Sequence, residues 1–221
     1  MTGPPSLTAE ARARKIRLLV FDVDGVLTDG GIWLFPAPAP SHSTAGHAAQ
    51  MADQGGYSFS SDTMIEAKGF NAHDGTGVSL ARLGGMKCAI VTKRISEAVA
   101  LRARDLRLEY VYLGQAYKMQ AIREMMAKEN IALDAIAYVG DDIIDLPVMR
   151  VCGLAIAVAN ARDQVKSAAH YVTAHEGGHG AARDAVEFIL GAKGILEAVI
   201  EQYINERNPL PAAGDPGTGS L

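Results

Sequence analysis

The sequence predicts an α/β fold, a parallel sheet covered by helices on both faces. Three observations lead there. From residue 74 onward, short apolar runs alternate with segments of helical period. The runs are apolar throughout rather than alternating with polar residues, as strands buried on both faces must be. One of these runs, 137-AYVGDD-142, and an earlier one, 19-LVFDVD-24, end in carboxylates. Open α/β sheets place their ligand crevice at such strand ends.

The elements follow in order. Residues 1–15 read as a flexible lead-in with a short helix from Thr8. Residues 16–22 read as a central strand. Residues 32–35 and 63–70 read as the two arms of a hairpin. Between them, 36–62 is rich in Ala, Pro, Ser and Gly and shows neither a helical nor a strand period. It is predicted to be a flexible insert whose His42 and His47 are solvated. Helices are predicted over 74–83, 96–105, 118–129 and 163–168, with a helical turn near Pro147. Strands are predicted over 86–92, 110–112, 135–140, 154–158 and 171–172. Helices over 181–190 and 195–206 close the chain. The domain is expected to span 16–192, followed by a C-terminal helix over 193–207. The Pro/Gly-rich stretch 208–221 is expected to be disordered.

Composition narrows the function. A length of 221 residues suits one α/β domain, and an apolar fraction of 48% suffices for a large core. The formal charge of -4 and the absence of a Lys/Arg run argue against nucleic acid. No run of 18 apolar residues predicts a membrane span. The N-terminus lacks the apolar centre of a secretory signal. Cys88 and Cys152 sit in apolar segments, which predicts two reduced core thiols. A cytoplasmic protein is expected.

The carboxylates are the informative feature. Residues two apart on a strand point to the same side, so Asp22 and Asp24 tend to converge. Burying unpaired like charges is costly, and each raises the pKa of the other. A divalent cation removes both costs, and ligands that are all oxygen suit Mg²⁺. The second cluster, Asp141, Asp142 and Asp145, follows another strand; if the two strands are neighbours, the clusters meet. One aspartate per loop is accounted for as a helix cap, but a DxD and a DDxxD on two buried strands are not. A magnesium–carboxylate site invites a phosphate ester, which needs donors for its oxygens. Thr92, ending strand 86–92, and Lys118, opening a helix, supply them.

FDVDGVLTDG, IVT, Lys118 and VGDDIID, in this order, resemble the haloacid dehalogenase superfamily of phosphatases over roughly residues 16–190. The resemblance implies a Rossmann-like, three-layer, doubly wound parallel sheet and a phospho-aspartyl mechanism. Asp22 would be the nucleophile, and Asp24 the general acid and then base. Thr92 and Lys118 would hold the phosphoryl group. Mg²⁺ would be bound by Asp22, the backbone carbonyl of Asp24, and Asp141, with Asp142 or Asp145 behind it.

FNAHDGTGVSLARLGGMKCAIVTKR, LGQAYKMQA and YVTAHEGGHGAARDAVEFIL narrow the resemblance to the small capless phosphatases of 3-deoxy-D-manno-octulosonate 8-phosphate. That group implies no cap domain, a β-hairpin over 31–70 after the first strand, and a homotetramer whose neighbouring subunits cover the site. Thr28, Asp74, Arg94 and Arg183 are the candidate substrate-binding residues. The chain differs from the group at Lys93, where a small residue is usual, at His73, where the group often has arginine, and at His179, in a motif that often reads Gly-Gly-Arg-Gly or Gly-Gly-x-Gly. Arginine binds a carboxylate bidentately and permanently, histidine only weakly and by pH.

The expected activity is therefore phosphate release from 3-deoxy-D-manno-octulosonate 8-phosphate. The alternative substrate is a nonulosonate 9-phosphate or another sugar phosphate. The non-enzyme alternatives are a receiver-like phosphoacceptor and an oligomerisation module. Receivers lack an acid/base carboxylate two residues after the phosphorylated aspartate, the place Asp24 occupies.

Overall fold

The computed structural model describes residues 7–37, 47–51, 55–61 and 64–207. The expectations for residues 1–6, for His42 and for 208–221 fall outside the described residues. A short helix α1 (Ala9–Ala13), capped by the Thr8 side chain, leads into strand β1 (Leu18–Phe21). Strands β2 (Trp33–Pro36), β3 (His47–Met51), β4 (Tyr57–Ser61) and β5 (Met64–Ala67) follow. Then α2 (Ala72–Leu83), β6 (Lys87–Val91), β7 (Arg94–Ile95), α3 (Glu97–Asp105) and β8 (Tyr110–Tyr112) complete the first half. The second half runs α4 (Lys118–Glu129), β9 (Ile136–Gly140), α5 (Leu146–Met149), β10 (Leu154–Ala157), α6 (Asp163–Ala168) and β11 (Tyr171–Val172). Helices α7 (Ala181–Ala192) and α8 (Leu196–Arg207) end it.

The main sheet has the order β11-β10-β9-β1-β6-β8, and every pairing is parallel. The chain builds outward from β1 to β6 and β8. It then crosses back to β9 on the other side of β1 and builds outward again. Order therefore reverses between β1 and β9, which is where such sheets open a crevice. Phe21 pairs with Val139 there, and the Asp22 N–H donates to the Val139 carbonyl at 3.0 Å. The ends of β1 and β9 are thus adjacent, the condition under which the two acidic clusters meet.

Burial explains the apolar runs. Every residue of β1, β9 and β10 is buried, since helices cover both faces. Helix α7 packs against α1, α2 and α8 in one layer; α5 packs against α4 and α6 in the other. α7 buries Ala181, Ala182, Ala185, Val186, Ile189 and Leu190, a stripe of helical period. Cys88 and Cys152 are both buried and free. No helix among the described residues is long and apolar enough to cross a membrane.

The β-hairpin is present: β2 pairs antiparallel with β5, from Trp33 opposite Ala67 to Pro36 opposite Met64. Within 36–62, where the sequence predicts a loop, the structure differs. β3 pairs antiparallel with β4, and β4 pairs in parallel with β7. The run 57-YSFSS-61 does alternate aromatic and serine, a strand period that its Pro, Ala and Gly surroundings hide. Its partner, β7, is only two residues long and carries no apolar pattern.

His170 ties two strands of the sheet to pH. Its Nδ1 accepts the Ala155 N–H at 2.9 Å, which requires the neutral ring. Burial, aided by Arg12, lowers its pKa below 6.5. The unfolded chain then takes up the proton first as pH falls. The expected outcome is stability independent of His170 above pH 6.5 and a loss of stability as pH drops below it. Urea midpoints at pH 8 and pH 5.5 check this, and His170→Gln should remove that part of the difference.

Candidate active site

Asp22 follows β1 directly and is 3% exposed. Gly25 then turns the chain with φ +87°. The carbonyl of Val23 accepts the N–H groups of Val26, Leu27 and Thr28, which closes a tight loop. The Thr28 hydroxyl donates to the same carbonyl at 3.2 Å and accepts the Gly30 N–H at 3.2 Å. A second loop, 174–180, presses against this one. A Cβ on Gly177 would lie 1.7 Å from the Gly25 carbonyl oxygen, so only glycine allows the approach.

Asp145 organises the floor of the site. It is fully buried in the turn after β9. Its Oδ1 accepts the Lys118 ammonium at 2.6 Å and the Tyr138 hydroxyl at 2.7 Å. Its Oδ2 accepts the N–H groups of Asp141 at 3.0 Å and Asp142 at 3.3 Å. A carboxylate offers about four lone-pair positions, so these four donors satisfy it. Lys118, buried at the first position of α4, reaches Asp22 Oδ2 as well, at 2.8 Å. Asp142 caps the turn by accepting the Ile143 N–H at 2.7 Å.

Oxygens of Asp22, Asp141 and Asp145 lie within 4.8 Å of one another. Since Asp145 is already satisfied, the free oxygens for a cation come from Asp22 and Asp141. The Asp141 carboxylate lies where Gly25 would otherwise carry a Cβ, 2.2 Å from Oδ2. An all-oxygen donor set in a buried pocket fits Mg²⁺. The electrostatics fit too. Burial pushes the Asp22 carboxyl up to about 7, against the pull of Lys118. Burial, then the charges of Asp22 and Asp145, pushes Asp141 up to about 8. Burial opposes the charge on Lys118, but Asp22 and Asp145 outweigh it and raise its pKa. The structure brings together more negative charge than one ammonium balances.

Above the carboxylates lies a cavity of about 180 Å³. Asp22, Asp24, Thr92, Arg94 and Asp141 line it. Thr92 is 2% exposed, and its hydroxyl oxygen accepts the Arg94 N–H at 3.3 Å. Asp24 is ion-paired to Lys68 and, at 3.4 Å, to Arg94. Lys68 also meets Glu66 at 3.2 Å. A larger cavity of about 380 Å³ lies between α2, α3 and α8, away from this cluster.

Of the four substrate-binding candidates, only Arg94 lines the site cavity; Thr28, Asp74 and Arg183 do not. Thr28 is spent on its own loop. Asp74 accepts the Arg183 N–H at 3.1 Å, satisfying the start of α7. The Arg183 guanidinium pairs with Glu187 at 2.5 Å in a separate groove that His73, His175 and His179 also line. Sequence reasoning passed over Lys68, Glu66 and Tyr57. Glu66 and Lys68 stand two apart, and that spacing on the return arm was the available signal.

Comparison with known proteins agrees with this geometry. The haloacid dehalogenase-like hydrolase family matches the chain over residues 91–183. The 3-deoxy-D-manno-octulosonate 8-phosphate phosphatase of Escherichia coli (strain B / BL21-DE3) is 37% identical over 202 residues, 91% of this chain and 94% of that one. The chain belongs to this family of haloacid dehalogenase-like phosphatases. Its fold is shared with solved members. The Yersinia pestis enzyme superposes with a TM-score of 0.70 at 36% identity, covering 86% of this chain and 88% of that one. The Moraxella catarrhalis enzyme, solved with magnesium, phosphate and KDO, gives 0.71 at 31% identity, covering 88% and 97%.

For a haloacid dehalogenase-like site of this kind, metal binding must displace protons. In the metal-free protein Asp22 and Asp141 hold protons that the unfolded chain, near 3.8, has released. Their contribution to stability therefore falls as pH rises from 3.8 towards about 8. Added Mg²⁺ offsets that loss and competes with fewer protons at high pH. The expected outcome is a larger rise in melting temperature with Mg²⁺ at pH 8 than at pH 6. Equal rises would show that these two carboxyls do not bind the ion.

Proposed function

We propose that the protein is a Mg²⁺-dependent phosphatase that hydrolyses 3-deoxy-D-manno-octulosonate 8-phosphate to the free sugar acid and phosphate. The single observation that supports the chemistry most is the buried Asp22–Lys118–Asp145 chain, with Asp141 beside it and Asp24 two residues on. The named relatives support the substrate.

An Asp22 oxygen attacks phosphorus as the bond to the sugar oxygen breaks, and Asp24 gives its proton to that oxygen. Water then attacks the aspartyl phosphate while Asp24 takes its proton, which frees phosphate and restores the Asp22 carboxylate and the protonated Asp24 carboxyl. The Thr92 hydroxyl and the Lys118 ammonium stabilise the phosphoryl oxygens. Lys118 also keeps the Asp22 oxygen oriented, since Asp145 and Tyr138 fix the ammonium from behind. A Mg²⁺ ion held by Asp22, Asp141 and the Asp24 carbonyl would neutralise phosphoryl charge. Arg94, the candidate that reaches the cavity, binds the carboxylate of the sugar acid.

We place the protein in the cytoplasm, where its two buried thiols stay reduced. The hairpin supports assembly. Ile32, Trp33, Leu34, Phe35 and Ile65 are all exposed on it, a patch that a monomer seldom leaves bare. A homotetramer built through these arms is expected to sediment as four chains. Trp33→Asp should shift it towards smaller species; a wild-type monomer would overturn the assembly.

Phosphate release with and without Mg²⁺, from a panel of 3-deoxy-D-manno-octulosonate 8-phosphate, nonulosonate 9-phosphates and hexose phosphates, tests the function. The first substrate should be preferred and metal should be required. Preference for another sugar phosphate would keep the chemistry and replace the substrate. Asp22→Asn should lose activity by at least about 10³-fold while its circular dichroism stays unchanged. Near-normal turnover would exclude the covalent step.

A further inference from the structure

The segment from Gly55 to Ser58 is strapped across the mouth of the cavity at three points. Gly55 bridges to Gln115. Gly56 is buried against Gly114, where an added Cβ would lie 2.2 Å from the backbone. The Tyr57 N–H donates to the Lys93 carbonyl at 3.2 Å, and Tyr57 and Ser58 pair in parallel with Arg94 and Ile95. All three anchors grip the loops that follow β6 and β8, on the face where Asp22 stands.

Tyr57 therefore lines the same cavity as Asp22 and Asp24. Its ring underlies two cations. The Arg94 guanidinium carbon is 4.9 Å from the ring centroid and the Lys93 ammonium 5.7 Å. The Lys93 side chain is exposed and would otherwise sample many rotamers in water. A ring face holds a cation by its quadrupole without neutralising its charge. The carboxylates near Arg94, Asp24 at 3.4 Å and Glu66 at 3.8 Å, pull it towards the floor; the ring holds it at the mouth.

Resting on the phosphatase reading above, we propose that Tyr57 is a positioning residue for substrate selection. It holds Lys93 and Arg94 as a paired cationic clamp for a carboxylate on the sugar, at a fixed reach from Asp22. The insert thereby selects carboxylate-bearing sugar phosphates over neutral ones, and takes no part in breaking the phosphate ester.

Two variants test this by separate routes. Tyr57→Leu removes the ring, and Gly56→Ala forces the strap off Gly114. For each, kcat and KM are measured with Mg²⁺ on the preferred sugar-acid phosphate and on a neutral hexose phosphate. The ratio of kcat/KM between the two should fall by about tenfold in both variants. The fall should come from KM of the acid substrate, and Tyr57→Phe should restore the ratio. An unchanged ratio, or an equal fall in kcat for both substrates, would overturn the proposal. So would a wild-type enzyme that turns over neutral and acidic sugar phosphates alike. Failure of the phosphatase reading looks different: wild type would then release phosphate from neither.

Discussion

One buried ammonium sets the terms for this site. Lys118 is shared between Asp22 and Asp145, and all three are nearly inaccessible to water. A single positive charge cannot balance two buried carboxylates together with Asp141. Burial first, and the neighbouring carboxylates after it, raise the pKa values of Asp22 and Asp141 despite Lys118. A site in that condition gains stability from a divalent cation, and with the cation in place it tolerates a phosphoryl dianion. The same shortage that makes the metal-free pocket costly thus accounts for the chemistry it favours.

Asp145 makes this arrangement rigid. It binds no more partners because Lys118, Tyr138 and two backbone N–H groups already occupy it. The turn after β9 and the first residue of α4 are thereby fixed to each other through one carboxylate. That leaves Asp22 and Asp141 as the groups free to meet a ligand. The approach of the 174–180 loop to Gly25, possible only with glycine at 177, closes the other side. Catalytic geometry here rests on backbone contacts as much as on the acidic side chains.

The two acidic clusters and Thr92 were legible in the sequence because each follows a buried strand, and Lys118 because it opens a helix after the next strand along. A strand-end position in a parallel sheet is readable from an apolar run. Thr28, Asp74 and Arg183 came as candidates with the family resemblance, and the fold uses them in a loop, at a helix start and in a separate groove. Nothing in a residue's identity says which backbone N–H it will satisfy. Tyr57, Glu66 and Lys68 were missed for the converse reason. They come from a segment of weak pattern; Tyr57 reaches the cavity because β4 pairs with β7, and Glu66 and Lys68 reach Arg94 and Asp24 from the hairpin's return arm.

By itself the sequence determined the α/β class, the succession of its motifs along the chain, and a magnesium–carboxylate chemistry at two strand ends. These are local properties: apolar run length, helical period and the cost of adjacent buried charges. The tertiary structure decided that β1 and β9 are neighbours, that Asp145 is saturated, and that the 55–58 strap lies across the mouth. Those outcomes depend on contacts between residues far apart in the chain. Such contacts are made by backbone pairing and close packing, which leave no periodic trace in the order of amino acids.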